Sequence, residues 1–191
     1  MKTKTRGKKL IIAGVLIIAA ALCLTAYNLY DGIRAASLSN EVLEEIEIGT
    51  GSDDYKANEE IQMPTQEVNN IDYACVLEIP DLGMVLPVIG ETSNRNLRIA
   101  PCIYSGSIYQ DNLVIAAHNY RSHFGKIKTL DQGAQVYVID MDGNVFEYEV
   151  KSIEVLQPTA VGEMKNSDWD LTLFTCTIGG QARVTVRCEK Q

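Results

Sequence analysis

Residues 171–176 read Leu-Thr-Leu-Phe-Thr-Cys, and residues 183–188 read Arg-Val-Thr-Val-Arg-Cys. Both runs are rich in apolar and β-branched residues, and the six-residue segment between them contains Gly179-Gly180. This pattern predicts two antiparallel strands joined by a short loop. Because Cys176 ends the first strand and Arg183 opens the returning one, we expect their side chains to approach each other at the base of the loop.

Short apolar runs separated by turn residues fill the chain from Tyr73 onward. Further strands are predicted at Ala74–Ile79, Met84–Val88, Asn112–Ala116, Gln135–Asp140 and Val145–Leu156, and short helices near Asn94–Leu97 and Gly125–Leu130. Asp142-Gly143 lies between two of the strands and is typical of a hairpin turn. Many short strands with little helix predict a mainly β domain, either a closed barrel or a sandwich.

The N-terminus has the pattern of a membrane anchor. Residues 1–9 carry five basic residues and no acidic one, and Leu10–Tyr30 is uncharged. A helix of that length spans about 30 Å, enough to cross a bilayer. The basic cluster is expected to stay in the cytoplasm, which places the C-terminal part outside the cell membrane. A cleaved signal peptide is the alternative, but the apolar run is long and Leu29-Tyr30-Asp31 offers no small-x-small cleavage site.

Charge is distributed unevenly along the chain. Five of the 17 basic residues lie in residues 1–9, which leaves 12 against all 25 acidic residues, a net charge of −13 for residues 10–191. So acidic a surface repels nucleic acid, which we exclude as a partner. The predicted organisation is a cytoplasmic tail (1–9), a transmembrane anchor (10–30), an acidic stalk or linker (31–70) and a mainly β domain (71–191).

Three side chains that could take part in catalysis lie at the ends of predicted strands. His118 directly follows the apolar run Leu113–Ala117, and imidazole is the usual partner of a cysteine nucleophile. The guanidinium of Arg183 would favour a thiolate at Cys176 and could hold a carbonyl oxygen or oxyanion. Arg187 lies on the same strand face as Arg183, and we prefer Arg183 because it is nearer the loop. Judged by position alone, Cys176 could instead be a structural cysteine, and His118 could be a capping histidine.

A metal site is not expected. His118, His123 and Cys176 could be imagined as ligands, but the sequence has neither a CxxC nor an HxxxH motif and no carboxylate placed to complete the set. A loop or packing role is expected for His123. The sequence indicates no cofactor.

The chain has five cysteines: Cys23, Cys75, Cys102, Cys176 and Cys188. An extracellular domain could form disulfides, and spacing alone does not choose a pairing. A catalytic Cys176 must be reduced, which leaves at most one bridge among the other three cysteines of the domain. Buried free thiols are the simpler interpretation of these three.

The strand ending in Thr175-Cys176 resembles the TLxTC signature of the sortases, the cysteine transpeptidases of Gram-positive cell surfaces. Arg183 is similar to the arginine that begins the family's last strand, and His118 to its catalytic histidine, with Ala117 in place of the common preceding glycine. The resemblance covers roughly residues 73–188. It implies a closed barrel of about eight strands with a few short helices, preceded by one transmembrane helix.

The resemblance also implies a reaction. Cys176 would attack the threonine carbonyl of an LPXTG-like sorting signal to form a thioacyl intermediate, and His118 would protonate the departing amine. Arg183 would hold the carbonyl oxygen or the peptide backbone, and Thr175 would help to bind substrate or to stabilise the oxyanion. The expected partners are surface proteins with sorting signals and an amine of a peptidoglycan precursor or a pilin. Trp169 and Val161, in the loop Gln157–Asp170, are candidate substrate contacts, and Asn119–Gly125 is similar to class B-type sortases.

Two other classes of function stay open. Another extracytoplasmic cysteine acyl-transferase or protease is one, although the HG…SHGC context of L,D-transpeptidases is absent and the order of histidine and cysteine is opposite to that of papain-like enzymes. The other is a membrane-anchored, non-catalytic binding domain on the same barrel, with Cys176 merely buried.

Overall fold

The computed structural model describes residues 3–51, 62–165 and 168–191. Part of the predicted stalk, residues 52–61, therefore lies outside the described residues. The chain divides into two compact units, Met1–Arg34 and Ala35–Gln191.

Helix α1 (Thr3–Glu45) contains the whole of the predicted span. Among the described residues it is the one helix that is long and apolar enough to cross a membrane. The apolar side chains from Leu10 to Tyr30 are largely exposed, as a lipid-facing surface requires. The helix thus has the length and composition of a membrane anchor.

The last part of α1 belongs to the same compact unit as the strands. Ala35, Ser39 and Val42 recur at helical spacing and are buried, and Val42 packs in one apolar cluster with Tyr73 and Ile89. The structure thus differs from a free stalk over these residues, because the helix has an apolar face that the domain covers. The predicted domain boundaries at residues 30 and 70 stay predictions.

In the part of the chain that the structure describes, nine strands form one sheet. They are β1 (Gln66–Val68), β2 (Ile71–Ile79), β3 (Met84–Ile89), β4 (Cys102–Ser105), β5 (Leu113–Ala117), β6 (Gln135–Asp140), β7 (Val145–Leu156), β8 (Leu171–Cys176) and β9 (Arg183–Lys190). The strand order is β1-β2-β3-β4-β5-β8-β9-β7-β6, and β6 pairs back onto β2. Strands β2 to β9 therefore close an eight-stranded barrel, which confirms the predicted fold.

Short helices connect the strands. They are the α-helix α2 (Val161–Lys165) and 3-10 turns at Pro80–Leu82, Asn96–Arg98, Ile108–Gln110 and Phe124–Thr129. The predicted helices near 94–97 and 125–130 correspond to two of the 3-10 turns.

Alternation along the strands separates two apolar environments. Leu171 and Leu173 of β8 pack in the barrel core, together with Val184 and Val186 of β9. Phe174 faces the other way and packs in a small outer cluster with Val114, Ala116 and Met164. Because Cys176 follows Phe174 by two residues, it lies on this outer face.

Candidate active site

Cys176 and Arg183 are direct partners in the antiparallel pairing of β8 with β9. Side chains directly opposite each other in such a pair lie on the same face of the sheet. Cys176 is half-buried, as is Arg183. The hairpin therefore brings the thiol and the guanidinium to one end of the barrel, as the sequence predicted.

His118 reaches the same place through a parallel pairing. Strands β5 and β8 run side by side in register up to Ala117 opposite Thr175. One residue further along each strand are His118 and Cys176. The Oγ1 of Thr175 donates a hydrogen bond of 2.8 Å to the carbonyl of Ala117, so it ties the two strand ends together directly below both residues.

These three side chains line one cavity of about 280 Å³. Much of its wall is apolar and comes from Leu97, Tyr104, Ala116, Val161, Met164 and Phe174. Thr92 and Asn94 add polar groups. The cavity thus combines a nucleophile, an imidazole and a guanidinium with a surface suited to an apolar side chain.

The three predicted substrate contacts differ in their positions relative to the cavity. Thr175 is almost completely buried, and its hydroxyl is engaged with Ala117 rather than facing the cavity. Trp169 is half-buried and is not among the described residues that line the cavity. Val161, from the same loop as Trp169, does line it.

The two arginines of β9 have different surroundings. Arg183 lines the cavity, and its Nη1 donates to the carbonyls of Gly180 and Ala182, each at 3.2 Å. Arg187 is buried, with 2 % of its surface exposed, and its Nε forms an ion pair of 2.7 Å with Glu154. Arg183 is therefore the one of the two that is placed beside Cys176.

The apolar wall was only partly predictable. Phe174 and Ala116 precede Cys176 and His118 by two residues, so strand alternation alone places them on the site's face. Leu97 and Tyr104 come from a segment whose strand β4 is only four residues long, and the sequence carried no signal for their position.

The other cysteines of the domain differ from Cys176 in their burial. All five cysteines are free thiols, and Cys75, Cys102 and Cys188 are buried. Burial raises the pKa of Cys102 and of Cys188 to about 12, and it raises that of Cys75 as well. Because the thiolate is the reactive form, these three buried thiols are poor nucleophiles at neutral pH.

The loop after His118 is built around a buried histidine. The ring of Tyr120 lies 5.1 Å from that of His118 and 5.4 Å from that of His123, measured between centroids. The backbone N–H of Phe124 donates to the carbonyl of His118 at 3.3 Å. His123 is completely buried, in agreement with the packing role expected for it. Burial, with His118 nearby, lowers the pKa of His123 from 6.5 to about 4.

Acidification is therefore expected to destabilise the domain through His123. Between about pH 6.5 and pH 4 the unfolded chain binds a proton at this residue that the folded protein excludes. The free energy of unfolding should fall by roughly 3 kcal/mol over this range. The measurement is urea denaturation followed by the fluorescence of Trp169, the only tryptophan. His123→Phe should show a shallower decline, since its carboxylates titrate as in the wild type but residue 123 does not; parallel pH profiles would contradict the assignment.

Among the described residues, no group of three or more His, Cys, Asp or Glu side chains is arranged to hold a metal ion.

The comparisons with known proteins agree with this geometry. A family model of the Sortase domain matches residues 77–191. The sortase D5 transpeptidase of Clostridium perfringens is similar in structure, with a TM-score of 0.56 and 21% identity over 63% of this chain and 79% of that one. Sortase C-1 from Actinomyces oris has a TM-score of 0.55 and 24% identity, over 62% of this chain and 73% of its own. Sortase E from Streptomyces avermitilis has a TM-score of 0.55 and 23% identity, over 62% and 88%. No curated protein matches the sequence.

Structural likeness at these identities establishes the fold, and the similar structures belong to sortases C, D5 and E. The class B-type interpretation of residues 119–125 stays a prediction. The Sortase model, by contrast, matches more than half of the sequence. The matched part includes β5, β8 and β9 and the residues His118, Cys176 and Arg183. The chain belongs to the sortase family.

Proposed function

We propose that this protein is a membrane-anchored transpeptidase that cleaves an LPXTG-like sorting signal and joins the released acyl group to an amine. The observation that carries the proposal is the convergence of Cys176, His118 and Arg183 on one cavity. A binding domain would not need a nucleophile, a proton donor and an oxyanion-binding cation at the same end of the same three strands.

The proposed reaction has two acyl-transfer steps. In the first, the thiolate of Cys176 attacks the threonine carbonyl carbon, the C–N bond to glycine breaks, and His118 gives a proton to the departing amine. In the second, the amine nucleophile attacks the thioester carbon and gives its proton to His118, and the C–S bond breaks to restore the thiolate. The thioester conserves the acyl-transfer potential of the cleaved bond, so no nucleotide is required.

The apolar lining of the cavity is consistent with a peptide substrate. Apolar side chains from β5, β8 and α2 lie next to the thiol, so an apolar side chain of the sorting signal can bind while its backbone passes Cys176. Arg183 stands across from Cys176 with a guanidinium that can leave the carbonyls of its own loop and donate to a substrate carbonyl.

The N-terminal anchor favours an active site outside the cytoplasm. The basic residues 1–9 precede the apolar part of α1, which favours a cytoplasmic N-terminus and a catalytic domain on the outer surface. The proposed partners are therefore surface proteins that carry a sorting signal, and an amine of a peptidoglycan precursor or a pilin.

The proposal is tested by trapping the thioacyl intermediate. Full-length protein in detergent is incubated with a panel of sorting-type peptides, and intact mass is measured before and after addition of a glycyl amine. A fragment starting near residue 60 is unsuitable, because it lacks the buried residues Ala35, Ser39 and Val42.

We expect an acyl adduct on the wild type that disappears when the amine is added. Cys176→Ala should form no adduct and no product, whereas Cys102→Ala, which removes a buried thiol elsewhere in the domain, should retain both. Equal product with Cys176→Ala would contradict the proposal. Equal reactivity of Cys176 and Cys102 towards iodoacetamide near neutral pH would favour the non-catalytic binding domain instead.

A further inference from the structure

Helix α2 (Val161–Lys165) forms one wall of the cavity that leads to Cys176. Val161 and Met164 both line this cavity, and Met164 is buried in the outer cluster with Phe174. A helix of five residues has no stability of its own in water, because forming its first turn costs more free energy than its few hydrogen bonds return. Contacts with the barrel must therefore hold α2 in place.

Arg187 supplies the strongest of these contacts. Its buried guanidinium donates to acceptors on three different elements: Oε1 of Glu154 on β7 at 2.7 Å, Oγ1 of Thr172 on β8 at 3.0 Å, and the backbone carbonyl of Glu163 on α2 at 2.9 Å. The hydrogen bonds to Glu154 and Thr172 hold the guanidinium on the barrel. The hydrogen bond to the carbonyl of Glu163 therefore attaches α2 to the barrel. Hydrogen bonds from a charged donor are about twice as strong as neutral ones.

Two weaker contacts complete the attachment. The hydroxyl of Thr185, also on β9, lies 3.8 Å from the Sδ of Met164, which accepts its hydrogen bond. At the end of α2 the Nζ of Lys165 lies 4.8 Å from the centroid of the Tyr104 ring, another residue of the cavity wall. Both contacts help to position α2 relative to the cavity. Each of them joins α2 to a single side chain, whereas Arg187 joins α2 to two strands by charge-assisted hydrogen bonds.

We propose that Arg187 is a positioning residue for substrate binding: it holds α2 against the barrel and thereby sets the width of the cavity beside Cys176. This inference rests on the proposed function as regards substrate. Arg187 touches neither the cavity nor the reacting atoms, and it acts through Val161 and Met164. Its role therefore differs from that of Arg183, although the two arginines share one strand and one face.

The shape of the guanidinium is essential to this role. A planar fork can serve three acceptors in different directions at once, whereas the ammonium of lysine is a single point at the end of a flexible stem. Arg187→Lys should keep the ion pair with Glu154 and loosen α2. Arg187→Met keeps the apolar stem and loses every donor, so it should release α2 further.

The experiment uses full-length protein in detergent and two kinds of readout. Hydrogen–deuterium exchange of residues 158–165 and the alkylation of Cys176 by iodoacetamide and by a bulky fluorescein maleimide do not depend on transpeptidation. Steady-state kinetics with the sorting-type peptide that forms an adduct on the wild type then give kcat and KM.

In Arg187→Met we expect faster exchange in α2 with unchanged exchange in β5, and a several-fold rise in the maleimide-to-iodoacetamide rate ratio. We expect KM to rise by about tenfold while kcat changes by less than about twofold, with Arg187→Lys intermediate in every readout. Lys151→Met is the matched control: it removes a cation of β7 whose ion pairs are with Glu149 at 2.7 Å and Glu189 at 3.8 Å, on β7 and β9, and it should behave as the wild type. If Arg187→Met does not fold, Arg187→Lys decides.

Unchanged exchange in α2 in the variants, or a fall in kcat at constant KM, would overturn the inference. If no peptide forms an adduct on the wild type, the proposed function fails, while the exchange and alkylation data still decide whether Arg187 holds α2. The two failures are thus distinguishable.

Discussion

Replacement of His118 with alanine is expected to reduce kcat/KM for transpeptidation by about 10²- to 10⁴-fold, the contribution that general acid–base catalysis makes. An amide amine is a poor leaving group unless it is protonated as the C–N bond breaks. His118 lines the cavity together with Cys176 and leaves strand β5 beside the end of β8, so it can give this proton. The measurement is steady-state kinetics of the variant on a sorting-type peptide.

A change of leaving group separates this role from a structural one. An aryl ester in place of the threonine–glycine amide releases a phenolate, which departs without protonation, so His118→Ala should lose much less activity on the ester than on the amide. His123→Phe is the matched control, because it alters the neighbouring buried histidine but not the cavity. Equal losses on amide and ester would contradict the assignment of His118 as the acid.

The hairpin of β8 and β9 and its site residues could be predicted from the sequence because their signals are local. The alternation in β8, the glycine pair after it and the apolar run before His118 all act within a few residues. The structure places β8 over the predicted Leu171–Cys176 and pairs Cys176 with Arg183. Their convergence with His118 depends only on two neighbouring strands ending at the same edge.

Other features depend on contacts that are distant in sequence. Strands β1 and β4 have three and four residues, too few for a visible period, and exist because β2 and β5 pair with them. Helix α2 is likewise held by tertiary contacts, chiefly those of Arg187. The burial of Val42 depends on a cluster with Tyr73 of β2 and Ile89 of β3, which are distant in sequence, so the helical spacing around Val42 does not show which surface covers it.

The same distinction explains why the sequence separated the two arginines of β9 only by their distance from the loop. A period of two places Arg183 and Arg187 on one face, and nothing local shows that the second is enclosed by β7, β8 and α2. The buried position of Arg187 changes how the two should be compared. Alanine at position 187 leaves buried acceptors unpaired and lowers the stability of the fold, so activities must be expressed per folded molecule.

On that basis, Arg183→Ala is expected to lower kcat by about 10²- to 10³-fold, the usual effect of removing an oxyanion donor. Arg187→Ala should lower kcat far less, since Arg187 does not line the cavity. Arg183→Lys restores the charge but not the planar fork, so it should recover little of the turnover. The measurements are kcat on the sorting-type peptide and the rate of alkylation of Cys176 between pH 5 and 9.

The alkylation profile distinguishes the two ways in which Arg183 could act. If the guanidinium stabilises the thiolate, the profile of Arg183→Ala shifts to higher pH, and Arg183→Lys returns it towards the wild type. If it stabilises only the oxyanion, the profile stays in place while kcat falls. Both results agree with a catalytic Arg183 opposite Cys176. A larger loss of kcat in Arg187→Ala than in Arg183→Ala, measured on folded protein, would instead assign the catalytic role to Arg187.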